Sequence, residues 1–191
     1  MGENAGPPSW AETIDCLRRD IRRYGEGRLL PLALKNLYLH PALAGALCYR
    51  LGRWLAGRRR SPLGLLGWIG YRVAYPLVRL YSGVELPAEA RIGPGLCLMH
   101  FGPIVIHPGV TAGANLTLLH SVTIGSAASG VPRLGANVKI GTGAVVMGGI
   151  EVGDDVRIGA GAVVTDSLPA GCTAVGVPAR PVRLAGEREP A

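Results

Sequence analysis

Residues 134–169 read LGANVK, IGTGAV, VMGGIE, VGDDVR, IGAGAV and VTDSLP, six consecutive units of six residues that each begin with an aliphatic side chain. An α-helix repeats about every 3.6 residues and an exposed strand about every 2, so neither explains this period. One short strand plus one sharp corner fills six residues, and three such units close a triangular coil of eighteen. The units at residues 140–145 and 158–163, IGTGAV and IGAGAV, lie eighteen residues apart and support three units per coil.

The same phase continues upstream, with two interruptions. Earlier units begin at Leu86, Ile92, Leu98, Ile106, Ala112, Leu118 and Ile124. Two extra residues, Ile104 and Val105, interrupt the phase, and four extra residues precede Leu134. The thirteen units predict about four coils of a solenoid of parallel strands, in which the first side chain of each unit points inward. The alternative is a β-sandwich with Gly-rich turns, but a sandwich does not hold a six-residue phase over thirteen units.

Charge divides the chain into two parts. Residues 1–83 hold 13 basic and 5 acidic residues, whereas residues 84–191 hold 7 basic and 8 acidic. We therefore expect a basic α-helical N-terminal region over 1–83, a β-helix domain over 84–185 and a flexible tail over 186–191. The acidic residues among the first twenty, and the lack of a basic start followed by an apolar run, argue against a secretory signal peptide.

The N-terminal region has a helical pattern with two alternative uses. Residues 9–24 and 41–57 resemble helices, with Ser9 as an N-cap, and residues 63–82 form a strongly apolar segment. These elements either pack against the first coil and neighbouring subunits, or lie as a basic amphipathic surface on anionic lipid. No aromatic-basic module supports nucleic-acid binding.

Cysteine usage carries little functional information. Cys16, Cys48, Cys97 and Cys172 are widely spaced and form no C-x-x-C pair, so we expect free thiols in a reducing cytoplasm. The sequence contains no phosphate-binding loop, dinucleotide fingerprint or H-E-x-x-H motif. We predict no metal site and no permanently bound cofactor.

Two of the four histidines fall into register with each other. His100 and His120 are each third in their unit and lie twenty residues apart, one coil plus the two-residue interruption. They should therefore stack at one corner of adjacent coils, about one strand spacing apart. Two imidazoles so close disfavour double protonation, which keeps one neutral and able to act as a base. We expect His107, beside Pro108, to be structural, and we assign no role to His40.

The repeat region resembles the hexapeptide-repeat acyltransferases, and within them the serine O-acetyltransferase-like group. The similar stretches are LLHSVTIG at residues 118–125, residues 136–164, GVPARPV at 176–182, and the HFGPIVI segment that begins at His100. The resemblance implies a left-handed parallel β-helix, a homotrimer, and acetyl-CoA bound as co-substrate between neighbouring helices. It covers residues 84–185 closely and the N-terminal part only loosely.

The resemblance also implies roles for particular residues. His100 matches the catalytic base and Glu85 the acidic residue that orients it, although the family has Asp there; His120 stands where serine acetyltransferases place Gln. Residues expected to line the groove for acetyl-CoA are Gly141, Thr142, Gly159 and Ala160, with Arg180 at the nucleotide end and Lys139 and Arg157 as weaker candidates.

Departures from the family pattern concern the acceptor. Met99 replaces the Asp before the base, Val131 replaces a second His, and the loop at residues 126–133 is about four residues shorter. We predict an acetyl-CoA-dependent O-acetyltransferase, with serine as the closest acceptor and a sugar hydroxyl of surface polysaccharide as the alternative. Two minor alternatives remain: a non-catalytic β-helix scaffold and a zinc-dependent β-helix of the carbonic-anhydrase type.

Overall fold

A computed structural model describes residues 6–183, and from Val84 onward they form a three-sided parallel β-solenoid. The first sheet contains β1 (Val84–Glu85), β4 (Ile104–Ile106), β7 (Thr123–Gly125), β10 (Val145–Met147) and β13 (Val163–Val164). The second contains β2 (Arg91–Ile92), β5 (Thr111–Ala112), β8 (Arg133–Leu134) and β11 (Glu151–Val152). The third contains β3 (Cys97–Leu98), β6 (Thr117–Leu118), β9 (Lys139–Ile140), β12 (Arg157–Ile158), β14 (Thr173–Gly176) and β15 (Ala179–Arg183). All pairings between coils are parallel, and only β14 and β15 pair antiparallel, as a closing hairpin.

The strand registers confirm the repeat and its interruptions. Leu98 pairs with Leu118, twenty residues on, because Ile104 and Val105 add two residues to the first coil. Leu118 pairs with Ile140, twenty-two residues on, because the loop before Arg133 adds four. The uninterrupted coil then has eighteen residues, as the pairing of Ile140 with Ile158 shows.

The core is the column of first-position side chains predicted from the repeat. All thirteen of them are buried: Leu86, Ile92, Leu98, Ile106, Ala112, Leu118, Ile124, Leu134, Ile140, Val146, Val152, Ile158 and Val164. The first sheet has five strands, so the solenoid has five levels instead of the four that the thirteen units suggest. The thirteenth unit, at Val164, adds the fifth strand of this sheet after four complete coils, and Thr173–Gly176 continues the third sheet beyond the last unit.

Four helices precede the solenoid: α1 (Trp10–Arg22), α2 (Leu29–Leu39), α3 (Ala42–Ala56) and α4 (Pro62–Ser82). Ser9 caps α1 as predicted, and Glu12 completes a reciprocal capping box with it. The sequence reading did not identify α2, because its start has no side-chain cap and Pro31 stands in its first turn. The predicted tail at 186–191 lies outside the described residues.

A buried ion pair fixes α1 and α3 to the first coil. Arg50 of α3 donates from Nε and Nη2 to the carboxylate of Asp20 of α1, over 2.8 and 3.1 Å. Both side chains are almost fully buried, at 4% and 0% exposure. Arg50 also donates to the carbonyl oxygens of Ile92 and Gly93, and Asp20 accepts the backbone N–H groups of Gly95 and Leu96. The pair thus satisfies four backbone groups of the solenoid as well as its own charges.

Packing continues from the helices into the solenoid core. Tyr49 of α3 is fully buried, and its hydroxyl donates to the carbonyl of Ala90 and accepts from the N–H of Ile92. Helix α3 and the solenoid therefore share one continuous apolar core.

The four cysteines are free, and burial raises the pKa of the Cys97 and Cys172 thiols, which disfavours their reactive thiolate forms.

Candidate active site

Four of the predicted site residues lie in one column along a single corner of the solenoid, where the third sheet turns into the first. Strands β3, β6, β9 and β12 are adjacent in the third sheet, and each is followed two residues later by a member of the column. The members are His100, His120, Thr142 and Ala160. Backbone hydrogen bonds tie successive corners together, from Gly143 N–H to the His120 carbonyl at 3.1 Å and from Gly161 N–H to the Thr142 carbonyl at 2.8 Å.

The two histidines at the start of this column lie in contact. The ring centroids of His100 and His120 are 5.8 Å apart, and the rings are nearly perpendicular. This confirms the stacking predicted from their register. The Nδ1 atom of His120 is buried and has no hydrogen-bond partner in the described part of the chain. Since an unpaired buried polar group costs about 1–3 kcal/mol, this nitrogen is suited to accept a hydrogen bond from a ligand.

The two-residue interruption changes the backbone at the first corner. At the next three corners the left-handed residue is third after the aliphatic position, namely Ser121, Gly143 and Gly161. At the first corner it is His100 itself, with φ of 67°. A side chain other than Gly in this region is uncommon and is associated with functional sites. The interruption therefore presents His100 differently from the equivalent residues of other coils.

Gly102 holds the second histidine in place, and sequence reasoning missed it. A Cβ at this position would lie 2.8 Å from the Cβ of His120. Its φ of 152° is also one that L-residues rarely adopt. A Gly two residues after the candidate base, just before the two-residue interruption of the repeat, was the available signal.

Glu85 lies on β1 and is half exposed. Its carboxylate forms an ion pair with Arg79 of α4, at 3.2 Å from Nη1 to Oε2. Among the described residues it forms no hydrogen bond or ion pair with His100. The structure thus places Glu85 on the first strand of the first sheet and gives it Arg79, not His100, as its partner.

Small residues continue the column beyond the histidines. A Cβ on Gly141 would lie 2.6 Å from the backbone nitrogen of Ala160, and one on Gly159 would lie 2.6 Å from Cγ1 of Val175. Neighbouring coils approach too closely there for a larger side chain. The fold therefore requires these glycines, whatever this surface binds.

Arg180 lies at the far end of the same column. It pairs in register with Val175, the residue that packs over Gly159, and it forms an ion pair with Asp166. From His100 to the hairpin at Gly176, the column spans four strand spacings, about 19 Å. Its open, elongated shape suits an extended ligand more than a compact one.

Of the two residues that depart from the family pattern, Met99 lies next to the corner column and Val131 lies on the opposite face of the solenoid. Met99 precedes His100 and is 38% exposed. Val131 is partly buried against the core, in a loop tied to the next coil by a hydrogen bond from Gly149 N–H to Ser129 Oγ. Val131 also lines a groove of about 900 Å³ on the second sheet, together with Arg53, Glu89 and Asp154. None of the predicted catalytic or acetyl-CoA residues lines this groove.

The remaining histidine of the repeat has a structural contact, as predicted. Nδ1 of His107 accepts a hydrogen bond from the N–H of Gly109 at 3.0 Å, which stabilises the corner before β5. Across residues 6–183, no group of three or more His, Cys, Asp or Glu side chains is placed to hold a metal ion. The column offers an imidazole base beside a second imidazole, which is chemistry suited to activating a hydroxyl.

Comparison with known proteins identifies relatives of one kind. Residues 132–166 match the family described as bacterial transferase hexapeptide (six repeats). A serine acetyltransferase of Helicobacter pylori is 40% identical over 150 residues, which cover 76% of this chain and 84% of the relative. A serine acetyltransferase of Mycobacterium tuberculosis is 32% identical over 184 residues, covering 93% and 75%.

Solved structures agree with these relatives. A serine acetyltransferase in complex with CoA superposes with a TM-score of 0.70 and 30% identity, covering 91% of this chain and 70% of that one. The enzyme from Brucella abortus superposes with a TM-score of 0.73 and 27% identity, covering 90% and 69%. In both superpositions the matched region includes most of the helical part, whereas the sequence resemblance was close only in the repeat.

Proposed function

Because the chain belongs to the serine acetyltransferase family of hexapeptide-repeat transferases, we propose that it transfers the acetyl group of acetyl-CoA to the hydroxyl of L-serine. The observation that carries the proposal is the column in which the contacting rings of His100 and His120 are followed, at the same corner, by small residues beside Gly141 and Gly159. A base for the acceptor and an extended surface for the donor thus share one corner of the solenoid.

His100 acts as the general base in this reaction. It removes the proton from the serine hydroxyl while the oxygen attacks the carbonyl carbon of the thioester. Backbone N–H groups at the corner stabilise the resulting oxyanion. When the C–S bond breaks, the imidazolium of His100 returns the proton to the sulfur of CoA, so the products are O-acetylserine and free CoA.

His120 and Glu85 support the base. The unpaired Nδ1 of His120 accepts a hydrogen bond from the bound acceptor. Glu85 stabilises the imidazolium after it leaves its ion pair with Arg79. Glu85 is thereby a positioning residue, not one that touches the substrate.

Acetyl-CoA lies along the rest of the column as a co-substrate. The pantetheine arm occupies the corner beside Gly141, Thr142, Gly159 and Ala160, where small side chains leave backbone groups within reach. Arg180 binds a phosphate at the nucleotide end by exchanging its contact with Asp166. Lys139 and Arg157, both exposed on the third sheet, are the weaker candidates for the same role.

The active assembly is a homotrimer in the cytoplasm. Support comes from the shape of the site, because the histidine column lies open on the surface and requires a second wall to exclude water. The groove lined by Val131 on the second sheet of a neighbouring copy supplies that wall. Free cysteines agree with a reducing compartment. Light scattering of the purified chain tests the trimer.

A sugar hydroxyl is the second candidate acceptor. Met99 and Val131 place apolar side chains where serine acetyltransferases carry an acidic residue and a histidine, so the charged ends of an amino acid lose two partners. A neutral polyol does not need them. A sugar in place of serine leaves the acetyl-transfer chemistry unchanged and alters only the acceptor.

Product analysis separates the two acceptors. The purified protein is incubated with acetyl-CoA and either L-serine or a panel of sugars and nucleotide sugars, and the acetylated product is identified by mass spectrometry. O-acetylserine as the main product supports the proposal. Acetylation of a sugar with no reaction of serine would replace the acceptor, and the absence of any product would contradict the assigned chemistry.

A further inference from the structure

Helix α4 leaves an apolar face without a partner. Large aliphatic side chains on its outer side, spaced three and four residues apart, are about half or more exposed: Leu65, Leu66, Ile69, Val73, Leu77 and Leu80. Tyr71, one of the few buried residues of the helix, marks its inner side against α3. A helix that is apolar all round is normally covered by protein or lipid.

The surroundings of this face are mainly basic. Residues 27–84 contain nine Arg or Lys residues and no Asp or Glu, and Glu85, which follows, forms an ion pair with Arg79 of α4. Arg58 and Arg59 stack on Trp54 and Trp68 near the start of α4, at 4.3 and 4.1 Å from the ring centroids. Arg60, just before α4, and Arg72 on it are exposed.

The charge around this face distinguishes between two candidate partners, a second copy of the chain and an anionic bilayer. A second copy of the chain would bring an equally basic rim against this one, and like charges would repel. An anionic bilayer surface instead offers apolar depth for the aliphatic side chains and negative headgroups for the arginines. Among the described residues, no helix has the length and hydrophobicity to cross a bilayer, so α4 fits the interface plane.

Helix α2 extends the same kind of surface. Its outer side exposes Leu30, Leu34 and Tyr38, and the hydroxyl of Tyr81 near the end of α4 donates to the carbonyl of Leu37. The two helices are therefore joined at this end. Tyr38 and Tyr81 each combine an apolar ring with a polar tip, the chemistry of residues enriched at membrane interfaces.

We propose that the outer face of α4, extended by α2, binds the surface of anionic phospholipid membranes. The binding holds the transferase peripherally on the membrane, with the solenoid in the aqueous phase. This proposal depends only on α2 and α4 and not on which acceptor is acetylated. Acetyl transfer measured without vesicles therefore tests the proposed enzymatic function separately.

Sedimentation with vesicles tests the membrane surface. The full chain is mixed with vesicles of phosphatidylcholine alone and of phosphatidylcholine with phosphatidylglycerol. We expect binding to the anionic vesicles, at least about tenfold weaker binding to neutral ones, and weakening with added salt. Absence of binding to the anionic vesicles overturns the proposal.

Two matched substitutions locate the surface. Val73 on α4 and Val182 on the last strand are exposed to nearly the same extent, 65% and 62%. We expect V73E to weaken vesicle binding at least about tenfold and V182E to leave it unchanged, with both variants keeping the wild-type molecular mass in light scattering. Equal losses in both variants, or dissociation of V73E into smaller species, would contradict lipid binding; dissociation would make the face a subunit interface.

Discussion

Removing the carboxylate of Asp20 should detach the helical region from the solenoid. In Asp20→Ala, the guanidinium of Arg50 stays buried without its counter-charge, and the N–H groups of Gly95 and Leu96 lose their acceptor. Breaking a buried pair by removing one partner costs about 3–5 kcal/mol of unfolding free energy. For a chain of this size, that lowers the thermal midpoint by about 6–20 °C.

The assay follows the helical circular-dichroism signal during heating, at one protein concentration for all variants. Asp15→Ala is the matched control, since Asp15 lies on the same helix and pairs with Arg19 in an exposed ion pair. We expect little change from that substitution. If Asp20→Ala melted within error of Asp15→Ala, the assignment of the buried pair as the anchor of the helices would be wrong.

A double substitution separates the effect of the two buried charges on stability from the effect of the backbone groups that lose their hydrogen-bond partners. Replacing Asp20 by Leu and Arg50 by Met removes both charges, which by itself can be neutral or stabilising. Here it also leaves the carbonyls of Ile92 and Gly93 and two N–H groups without partners. We therefore expect the double variant to remain less stable than wild type, yet lose less than the two single losses added together.

Three further substitutions test the site and its support. Tyr49→Phe removes the acceptor of the buried Ile92 N–H and should lower the free energy of unfolding by about 1–3 kcal/mol in urea titrations; an unchanged midpoint would contradict this. Gly102→Ala should displace His120 and reduce kcat by at least about tenfold, because its Cβ has no room; wild-type kcat would mean that the ring position is unimportant. Glu85→Gln should lower kcat by at least about tenfold with little change in KM. A rise in KM of about tenfold with an unchanged kcat would assign Glu85 to substrate binding instead.

The repeat made the solenoid predictable from sequence, because one constraint recurs at every level. An inward aliphatic side chain is needed once per six residues, and the interruptions at residues 104–105 and before Leu134 left the phase intact on either side. The stacking of His100 and His120 followed from that arithmetic without any knowledge of side-chain conformation.

The remaining features depend on tertiary contacts that do not recur at a fixed spacing along the sequence. Helix α2 lacks a capping side chain, and its packing comes from tertiary contacts. The partner of Glu85 could not be foreseen, because Arg79 approaches from a helix whose placement no local pattern encodes. Gly102 lies at the corner just before an interruption, where the repeat gives no expectation of which residue must be small.

The assignment of His100 as the base is tested most directly by the rate of CoA release from acetyl-CoA in the presence of L-serine, measured for wild type, His100→Ala and His107→Ala. We expect serine-dependent release by wild type, a loss of about 100- to 10,000-fold in kcat for His100→Ala, and near-wild-type rates for His107→Ala, with native circular dichroism in all three. Wild-type turnover in His100→Ala would contradict the assignment of His100 as the base.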